Sequence, residues 1–183
     1  MYSTCTELSI MAKREPLHYA VLTRDVSRTE DQIRRRDVDV TARNRDGDTA
    51  LHMLSYPVNN DWSCYSEGSL SYYDVSEQEI IRRLASVDKR CFTVRDAAGN
   101  TPLMRCVKVH DHCGVMSALL EHERAFTGGT DFDAINNKNE SVLDLAFARG
   151  KYDYIEIICS NFKRGDWVGT CSTTSRLVVS DTY

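Results

Sequence analysis

Two histidines, an aspartate and two cysteines lie close enough in the sequence to raise the question of a metal site. His110, Asp111, His112 and Cys113 are consecutive, and Cys106 precedes them. Imidazole and thiolate groups bind zinc, but this spacing matches none of the usual zinc patterns. We therefore expect no bound metal, and a metal-dependent enzyme stays only as a remote alternative.

No other set of side chains indicates catalysis. The spacing suggests neither a cysteine–histidine pair nor a serine–histidine–aspartate triad. No glycine-rich phosphate loop follows a strand and precedes a helix. We therefore expect that the protein is not an enzyme and needs no cofactor.

Charge and length exclude several classes of protein. The 183 residues suit one domain, and 23 basic against 27 acidic residues give a formal charge of −4. This weak acidity argues against binding to nucleic acid or to an anionic membrane. No apolar run is long enough to cross a bilayer, and the first ten residues lack the features of a signal peptide.

The cysteines indicate a reducing compartment. There are seven, an odd number, and several fall on the apolar stripes of predicted helices. We interpret them as reduced core residues and expect a monomeric, cytoplasmic protein. The nucleus is the alternative location, although the basic run 34–36 is short for an import signal.

One stretch of sequence, from Asp39 to His52, recurs in altered form from Thr93 to Met104. Both copies contain a glycine, Gly47 and Gly99, where a tight turn needs a positive φ. The recurrence in register is more specific than either copy alone, because a single copy could be any helix start. The sequence therefore predicts a repeated turn followed by a helix.

The residues after each glycine are those that begin helices. Thr49 and Thr101 can cap the first turn, and Pro102 suits the first helical position. Leu51 and Leu103 then open an apolar stripe. These features predict that helices begin at residues 50 and 102.

Two weaker copies of the pattern, at 16–20 and 141–146, extend the repeat. The four helices begin at Pro16, Ala50, Pro102 and Val142. The first spacing is close to a period of about 33 residues, and the next two are longer by about 19 and about 7. Asn139 replaces the turn glycine of the last copy and also tolerates a left-handed backbone.

The predicted helices follow from these starts and from the apolar periodicity. Ser76 and Glu79 have the spacing of a capping box before one of them, and Gly150 suits a helix stop. The predicted spans are 16–24, 29–36, 50–56, 77–86, 102–109, 114–122, 142–149 and 152–162.

This pattern resembles the ankyrin-repeat family over residues 16–162. The resemblance implies an all-α ankyrin-repeat solenoid of about four helix-turn-helix units, 16–38, 39–91, 92–130 and 131–162. Residues 1–15 would form an N-terminal cap or partial repeat, with an insertion at 57–76 and a flexible tail at 163–183. In the family, the imidazoles at the places of His18 and His52 tie turn to helix.

The resemblance also implies a non-catalytic module that binds another protein through its turn tips and concave face. The tip residues free to contact a partner are Arg43, Asn44, Arg45, Asp46, Arg95, Asp96, Asn136 and Lys138. The insertion is a second candidate, because tryptophan and tyrosine concentrate binding energy at interfaces. Its aromatic residues are Trp62, Tyr65, Tyr72 and Tyr73, which could alternatively fold back over the first unit.

A sharper alternative concerns the kind of partner. Short ankyrin chains with insertions are similar to those that viruses and other intracellular parasites use against host signalling, and some resemble inhibitors of NF-κB transcription factors. The chain lacks the Asp-Ser-Gly phosphorylation motif of the cellular inhibitors. A pathogen-encoded decoy would lack it too, so its absence does not decide between the alternatives.

Overall fold

The computed structural model describes residues 5–56, 72–109 and 113–163, and all regular elements in these ranges are helical. The α-helices are α1 (Cys5–Arg14), α2 (Pro16–Leu22), α3 (Val26–Ile33), α4 (Tyr72–Val87), α5 (Pro102–Val109), α6 (Cys113–Thr127), α7 (Val142–Ala148) and α8 (Tyr152–Lys163). Two 3₁₀ helices cover Ala50–Ser55 and Lys89–Phe92. The all-α prediction is confirmed for this part of the chain, where a single isolated bridge joins Arg43 and Thr49.

The helices form two layers. In the inner layer α2, the 3₁₀ helix Ala50–Ser55, α5 and α7 each contact the next. In the outer layer α3, α4, α6 and α8 do the same. One continuous core of apolar side chains runs between the layers, from Met11 to Ile158. None of the helices in the described ranges is both long enough and apolar enough to cross a bilayer.

The N-terminal end of the stack is covered by α1, which packs on α2. Met11 is buried and Leu8 is partly buried against the core, whereas Ile10 is 41% exposed. The sequence predicted either a cap or a partial repeat over residues 1–15. The turn that precedes the later units is missing here, because Lys13 lies within α1 and only Glu15 separates α1 from α2.

Hydroxyl groups cap two of the helix starts, whereas the Thr49 hydroxyl, predicted to cap the helix from Ala50, bonds to His52 Nδ1 instead. The Met104 amide donates to Thr101 Oγ1, and the Asp144 amide donates to Ser141 Oγ. Glu15 makes no capping bond with its side chain. The left-handed residues are also as predicted, with φ of 60° at Asn139 and 63° at Gly150.

Several helices differ from the sequence predictions in extent or type; α6, for example, runs to Thr127 and not to residue 122. The helix expected from residue 29 begins at Val26, because the Asp25 carboxylate accepts from the Arg28 amide at 2.8 Å and caps it there. The helix from Ala50 is 3₁₀ rather than α. The helix expected from residue 77 begins at Tyr72, so Ser76 lies inside α4 and cannot cap it.

Two buried histidines tie successive units together. His18 Nε2 donates to the Asp48 carbonyl oxygen at 3.1 Å, and His52 Nε2 donates to the Asn100 carbonyl oxygen at 3.0 Å. His52 Nδ1 accepts from the Thr49 amide, which fixes the proton on Nε2. Burial lowers the pKa of both histidines, so both are neutral in this arrangement.

Arg24 occupies a backbone position that normally requires glycine. Its φ is 56°, and the amides of Arg24 and Asp25 return to the Val21 and Ala20 carbonyl oxygens at the end of α2. This is the helix stop that Gly150 makes after α7. A side chain in this conformation costs about 1 kcal/mol, so the arginine must supply a compensating interaction.

That interaction is made by the buried guanidinium group. Arg24 Nη2 donates to the Leu54 and Tyr56 carbonyl oxygens at 2.7 and 3.0 Å. Its Nε donates to Glu77 Oε1 at 2.9 Å, and both side chains are almost fully buried, with exposures of 2% and 1%. One side chain therefore joins α2, the 3₁₀ helix Ala50–Ser55 and α4.

Replacing Arg24 tests this role. We expect Arg24→Gly to lower the free energy of unfolding by about 3 kcal/mol, because Glu77 and two helix ends lose their buried partner. The loss should occur even though glycine relieves the backbone at this position. Chemical denaturation followed by circular dichroism measures the change.

The matched control is Arg34→Ala, which removes an arginine–glutamate pair at 72% exposure of the arginine side chain. We expect this change to cost less than about 1 kcal/mol. An Arg24→Gly variant as stable as the control would show that the guanidinium network contributes little.

Candidate functional site

Three turns between helices share one pattern of hydrogen bonds. Each begins with an asparagine or aspartate: Asn44, Asp96 and Asn136. The Oδ1 atom of each accepts from the amides two and four residues later, at 2.8 to 3.0 Å. The backbone of each turn closes with a second set of bonds, such as the Asp96 amide to the Asn100 carbonyl oxygen at 2.8 Å. These are Asx-type turns, in which the side chain replaces a backbone partner.

The shared pattern corrects part of the predicted binding surface. Asn44, Asp96 and Asn136 were expected to face a partner, but they are only 8%, 5% and 5% exposed. Their side-chain oxygens accept hydrogen bonds from backbone amides within the turns themselves. The prediction that these three residues line the exposed tip is wrong, because the turn geometry requires an inward-facing acceptor at this position.

The other predicted tip residues face solvent: Arg43, Arg45, Asp46, Arg95 and Lys138. Arg45 and Asp46 are about half exposed and lie 3.9 Å apart. The Arg95 guanidinium donates to the Ile135 carbonyl oxygen of the following turn. The exposed edge therefore carries four cations and one carboxylate.

The turns also pack directly on one another. The Asn137 amide donates to the Ala98 carbonyl oxygen at 3.1 Å, and its side chain donates to the Ala97 carbonyl oxygen at 3.2 Å. Below this contact, Asn136 Nδ2 donates to Asn100 Oδ1 at 3.0 Å. These bonds fix the second and third turns relative to each other.

Glycine is required where the turns meet. Gly47 and Gly99 have φ of 85° and 81°, as predicted. A Cβ atom on Gly47 would lie 2.6 Å from the Ala97 Cβ, and one on Gly99 would lie 2.7 Å from the Asn137 backbone nitrogen. The two glycines therefore serve both the turn conformation and the close approach of the next turn.

A polar groove of about 260 Å³ opens beside the second and third turns. Ala97 and Ala98 form one wall, and their small side chains leave the space open. Tyr56 and Arg105 come from the inner layer. The remaining lining residues are Asp46, Asp48 and Asp96.

The groove contains a network of charged and hydroxyl groups. The Tyr56 hydroxyl donates to Asp48 Oδ2 at 2.7 Å and accepts from the Arg105 guanidinium. Arg105 also donates to Asp96 Oδ2 at 3.3 Å, and its guanidinium carbon lies 5.2 Å from the centre of the Tyr56 ring. Burial and the Asp48 carboxylate raise the pKa of Tyr56 to about 12, so the hydroxyl keeps its proton.

Sequence reasoning did not identify Tyr56 or Arg105 as site residues. Tyr56 stands at the predicted end of a helix, and Arg105 lies inside one, so neither has a distinctive spacing. The signal for the inward-facing turn residues was present, however. An asparagine or aspartate stands three residues before Gly47, Gly99 and Asn139 in every turn.

The aromatic insertion lies largely outside the described residues. Trp62 and Tyr65 lie outside the described residues, whereas the backbone of Tyr72 and Tyr73 forms the start of α4. His110, Asp111 and His112 also fall outside. Within the described ranges, no three histidine, cysteine, aspartate or glutamate side chains come together as metal ligands.

Neither a protein-family model nor a curated protein matches the sequence.

A buried carboxyl group lies next to the third turn. Glu123 of α6 is 5% exposed and lies beside a cavity of about 30 Å³ that Thr130 and Asp131 also line. Burial raises the pKa of Glu123 from 4.5 to about 8, and the Thr130 hydrogen bond opposes this shift only in part. The folded protein therefore keeps Glu123 protonated near neutral pH.

The close contacts around Gly99 predict that a larger residue there lowers the free energy of unfolding. Gly99→Ala should lower the free energy of unfolding by more than about 2 kcal/mol. The new Cβ would clash with the backbone of the next turn, and the alanine would also have to adopt a left-handed conformation. Gly128→Ala is the control, since Gly128 has φ of 88° and open space around it. It should cost about 1 kcal/mol. Equal losses, measured by denaturant titration, would contradict the close packing of the turns.

The raised pKa of Glu123 predicts how the free energy of unfolding depends on pH. Between pH 4.5 and 8 the unfolded chain binds fewer protons at this site than the folded protein, so the free energy of unfolding falls as pH rises. Glu123→Gln removes this contribution. Relative to wild type, the variant should gain stability as the pH is raised from 5 to 8, by about 1 kcal/mol or more.

Thermal denaturation across this pH range measures the effect. The exposed neighbour Glu121 supplies the control, and Glu121→Gln should keep the wild-type slope. A Glu123→Gln variant whose slope matches wild type would show that the carboxyl is not protonated in the folded protein.

Proposed function

We propose that the chain is a short ankyrin-repeat solenoid that binds another protein through its turn tips and the adjoining groove, without catalysis. The observation that carries this proposal is the threefold recurrence of one Asx turn, each followed by an inner-layer helix. A stack of such units has a continuous edge whose outward residues the fold does not specify.

Each turn has one inward position of fixed residue type and one outward position of variable type, which supports the proposal. The inward position is always asparagine or aspartate, because the turn needs its acceptor oxygen. The position just before it faces outward and varies among Arg43, Arg95 and Ile135. The bonds that close each turn do not use the outward side chain, so its identity is free to match a partner.

The groove supports the proposal through its chemistry. Tyr56 and Arg105 belong to the residue types that most often dominate binding energy at interfaces. Ala97 and Ala98 leave room above them for a side chain or loop of a partner. Asp48 and Asp96 hold both groups in one orientation, so little conformational freedom is lost on binding.

The fixed geometry of the tips supports it further. Direct hydrogen bonds between the second and third turns keep their exposed side chains in register. A surface that is ordered before binding loses less entropy than a mobile loop. The described edge therefore suits recognition of a folded surface or an ordered segment.

The test compares two variants that each remove four positive charges. The tip variant carries alanine at Arg43, Arg45, Arg95 and Lys138. The control carries alanine at Arg34, Arg36, Lys89 and Arg149, which are exposed and lie outside the three turns in sequence. Partners cross-linked to the wild-type protein in cell lysate are identified by mass spectrometry, and their affinities are then measured with purified components.

We expect the tip variant to bind its partner at least about tenfold more weakly, which corresponds to about 1.4 kcal/mol. The control variant should retain wild-type affinity, and circular dichroism should show equal helicity for all three proteins. Unchanged affinity in the tip variant would rule out the tips as the binding surface.

A further inference from the structure

The exposed charges of the three turns are mostly positive, although the protein as a whole is acidic. Arg43 and Arg45 lie at the first turn, Arg95 at the second and Lys138 at the third, and all four are exposed. Asp46 is the one exposed carboxylate among residues 43–48, 95–100 and 135–140. The formal charge of the chain is −4, so this edge has the opposite sign to the molecule. We call the four cations the basic edge.

The basic edge is only slightly neutralised within the protein. Arg45 lies 3.9 Å from Asp46, but no carboxylate of the described residues forms an ion pair with the other three cations. Three arginines of the outer layer, in contrast, lie 2.5 to 2.7 Å from glutamate oxygens: Arg34, Arg82 and Arg83. The outer layer thus supplies its own counter-charges, whereas the basic edge can accept those of another molecule.

The carboxylates nearest to the edge already accept hydrogen bonds from the protein. Asp96 Oδ1 accepts from the amides of Ala98 and Asn100, and its Oδ2 accepts from Arg105. The Arg45 amide, the Tyr56 hydroxyl and the Asn136 side chain donate to three further carboxylates, respectively Glu15, Asp48 and Glu140. These bonds offset the negative charge beneath the turns, so the cations dominate the exposed side.

Arg95 is already oriented along the edge. Its guanidinium uses one N–H group to bond the Ile135 carbonyl oxygen of the next turn. A guanidinium has five N–H donors, and two of them can bind one carboxylate side by side. Because the existing bond orients the group, little side-chain freedom is lost when a carboxylate binds.

The third turn differs from the first two at one position. Arg43 and Arg95 directly precede the inward residue of their turns, and the residue at that place in the third turn is Ile135. The Ile135 side chain is 43% exposed. The third turn therefore offers an apolar contact in addition to the charge of Lys138.

We propose that the partner lays an extended acidic segment along the basic edge, with carboxylates opposite the first two turns and an apolar side chain opposite Ile135. Successive inner-layer helices are in contact. Such helices lie about 8 to 10 Å apart, and an extended chain advances about 3.3 Å per residue. One unit therefore corresponds to about three residues of the segment, which predicts the spacing acidic-x-x-acidic-x-x-apolar. The inference rests on the binding function proposed above and specifies the chemistry of the partner.

The test selects peptides of about 12 residues from a random phage-displayed library on the wild-type protein, because this length spans the three turns. We expect the selected peptides to be rich in aspartate and glutamate at the stated spacing. Fluorescence anisotropy of the synthetic peptides should show at least about tenfold weaker binding to the tip variant defined above. The matched control variant should bind them like wild type, and added salt should slow their association.

Charge reversal tests the register of the segment. Arg43→Glu and Arg95→Glu should each weaken binding of a selected peptide by at least about tenfold, because like charges then face each other. Replacing the opposing acidic residue of the peptide by lysine should restore its affinity for the matching variant and not for the other. Thermal denaturation checks that both variants keep the wild-type fold.

The outcomes separate this inference from the proposed function. Peptides without acidic residues that the tip variant fails to bind would overturn the inference but leave binding at the tips intact. Peptides that the tip variant binds as tightly as wild type would contradict the tips as the binding surface. Tighter binding of a single-stranded DNA oligonucleotide than of any selected peptide would assign the basic edge to nucleic acid instead. A selection that enriches no peptide would also overturn the inference, and the cross-linking experiment above would then test the binding function by itself.

Discussion

The Arg24 guanidinium supplies hydrogen-bond donors to carbonyl oxygens at the ends of two short helices. A helix leaves its last carbonyl oxygens without partners, and here two such helix ends meet inside the protein. The Arg24 guanidinium donates to carbonyl oxygens at the ends of α2 and of the 3₁₀ helix Ala50–Ser55, and its charge is balanced by Glu77 of α4. Because the pair is buried, either partner alone would leave an uncompensated charge in the core. The first two units and the outer layer therefore depend on one ion pair.

Successive units are also joined by a second kind of bond. His18 and His52 each reach from one inner-layer helix to the turn before the next, and both donate to a backbone carbonyl oxygen. The equivalent place in the third unit is Met104, which has no such donor. There the junction is made by Asn136 and Asn137, whose amide groups bond to the preceding turn. The same geometric need is met by imidazole in two units and by asparagine in the third.

These junctions explain why the turns are suited to recognition. Each turn is closed by its own asparagine or aspartate, so its closure does not depend on the outward side chains. The groove beside them is similarly rigid, since Asp48 and Asp96 hold Tyr56 and Arg105. The proposed binding surface is thus a by-product of the bonds that hold the stack together.

The sequence by itself determined the local features of this protein. Gly47, Gly99, Asn139 and Gly150 are left-handed as predicted, because backbone sterics depend only on the residue and its immediate turn. Apolar periodicity identified the helical character, and short-range chemistry located the cap at Thr101. The extra turns of α4 before residue 77 were missed, because the sequence there has no apolar period to mark a helix.

Only the tertiary structure decided which charged residues of the helices and their ends face inward. Arg24, Glu77 and Arg105 look like ordinary surface charges in the sequence, since their partners are distant along the chain. Asn44, Asp96 and Asn136 were predicted to be exposed and are buried for a local reason that the turn pattern contained. Burial depends on what packs against a residue, and long-range packing has no fixed spacing in the sequence.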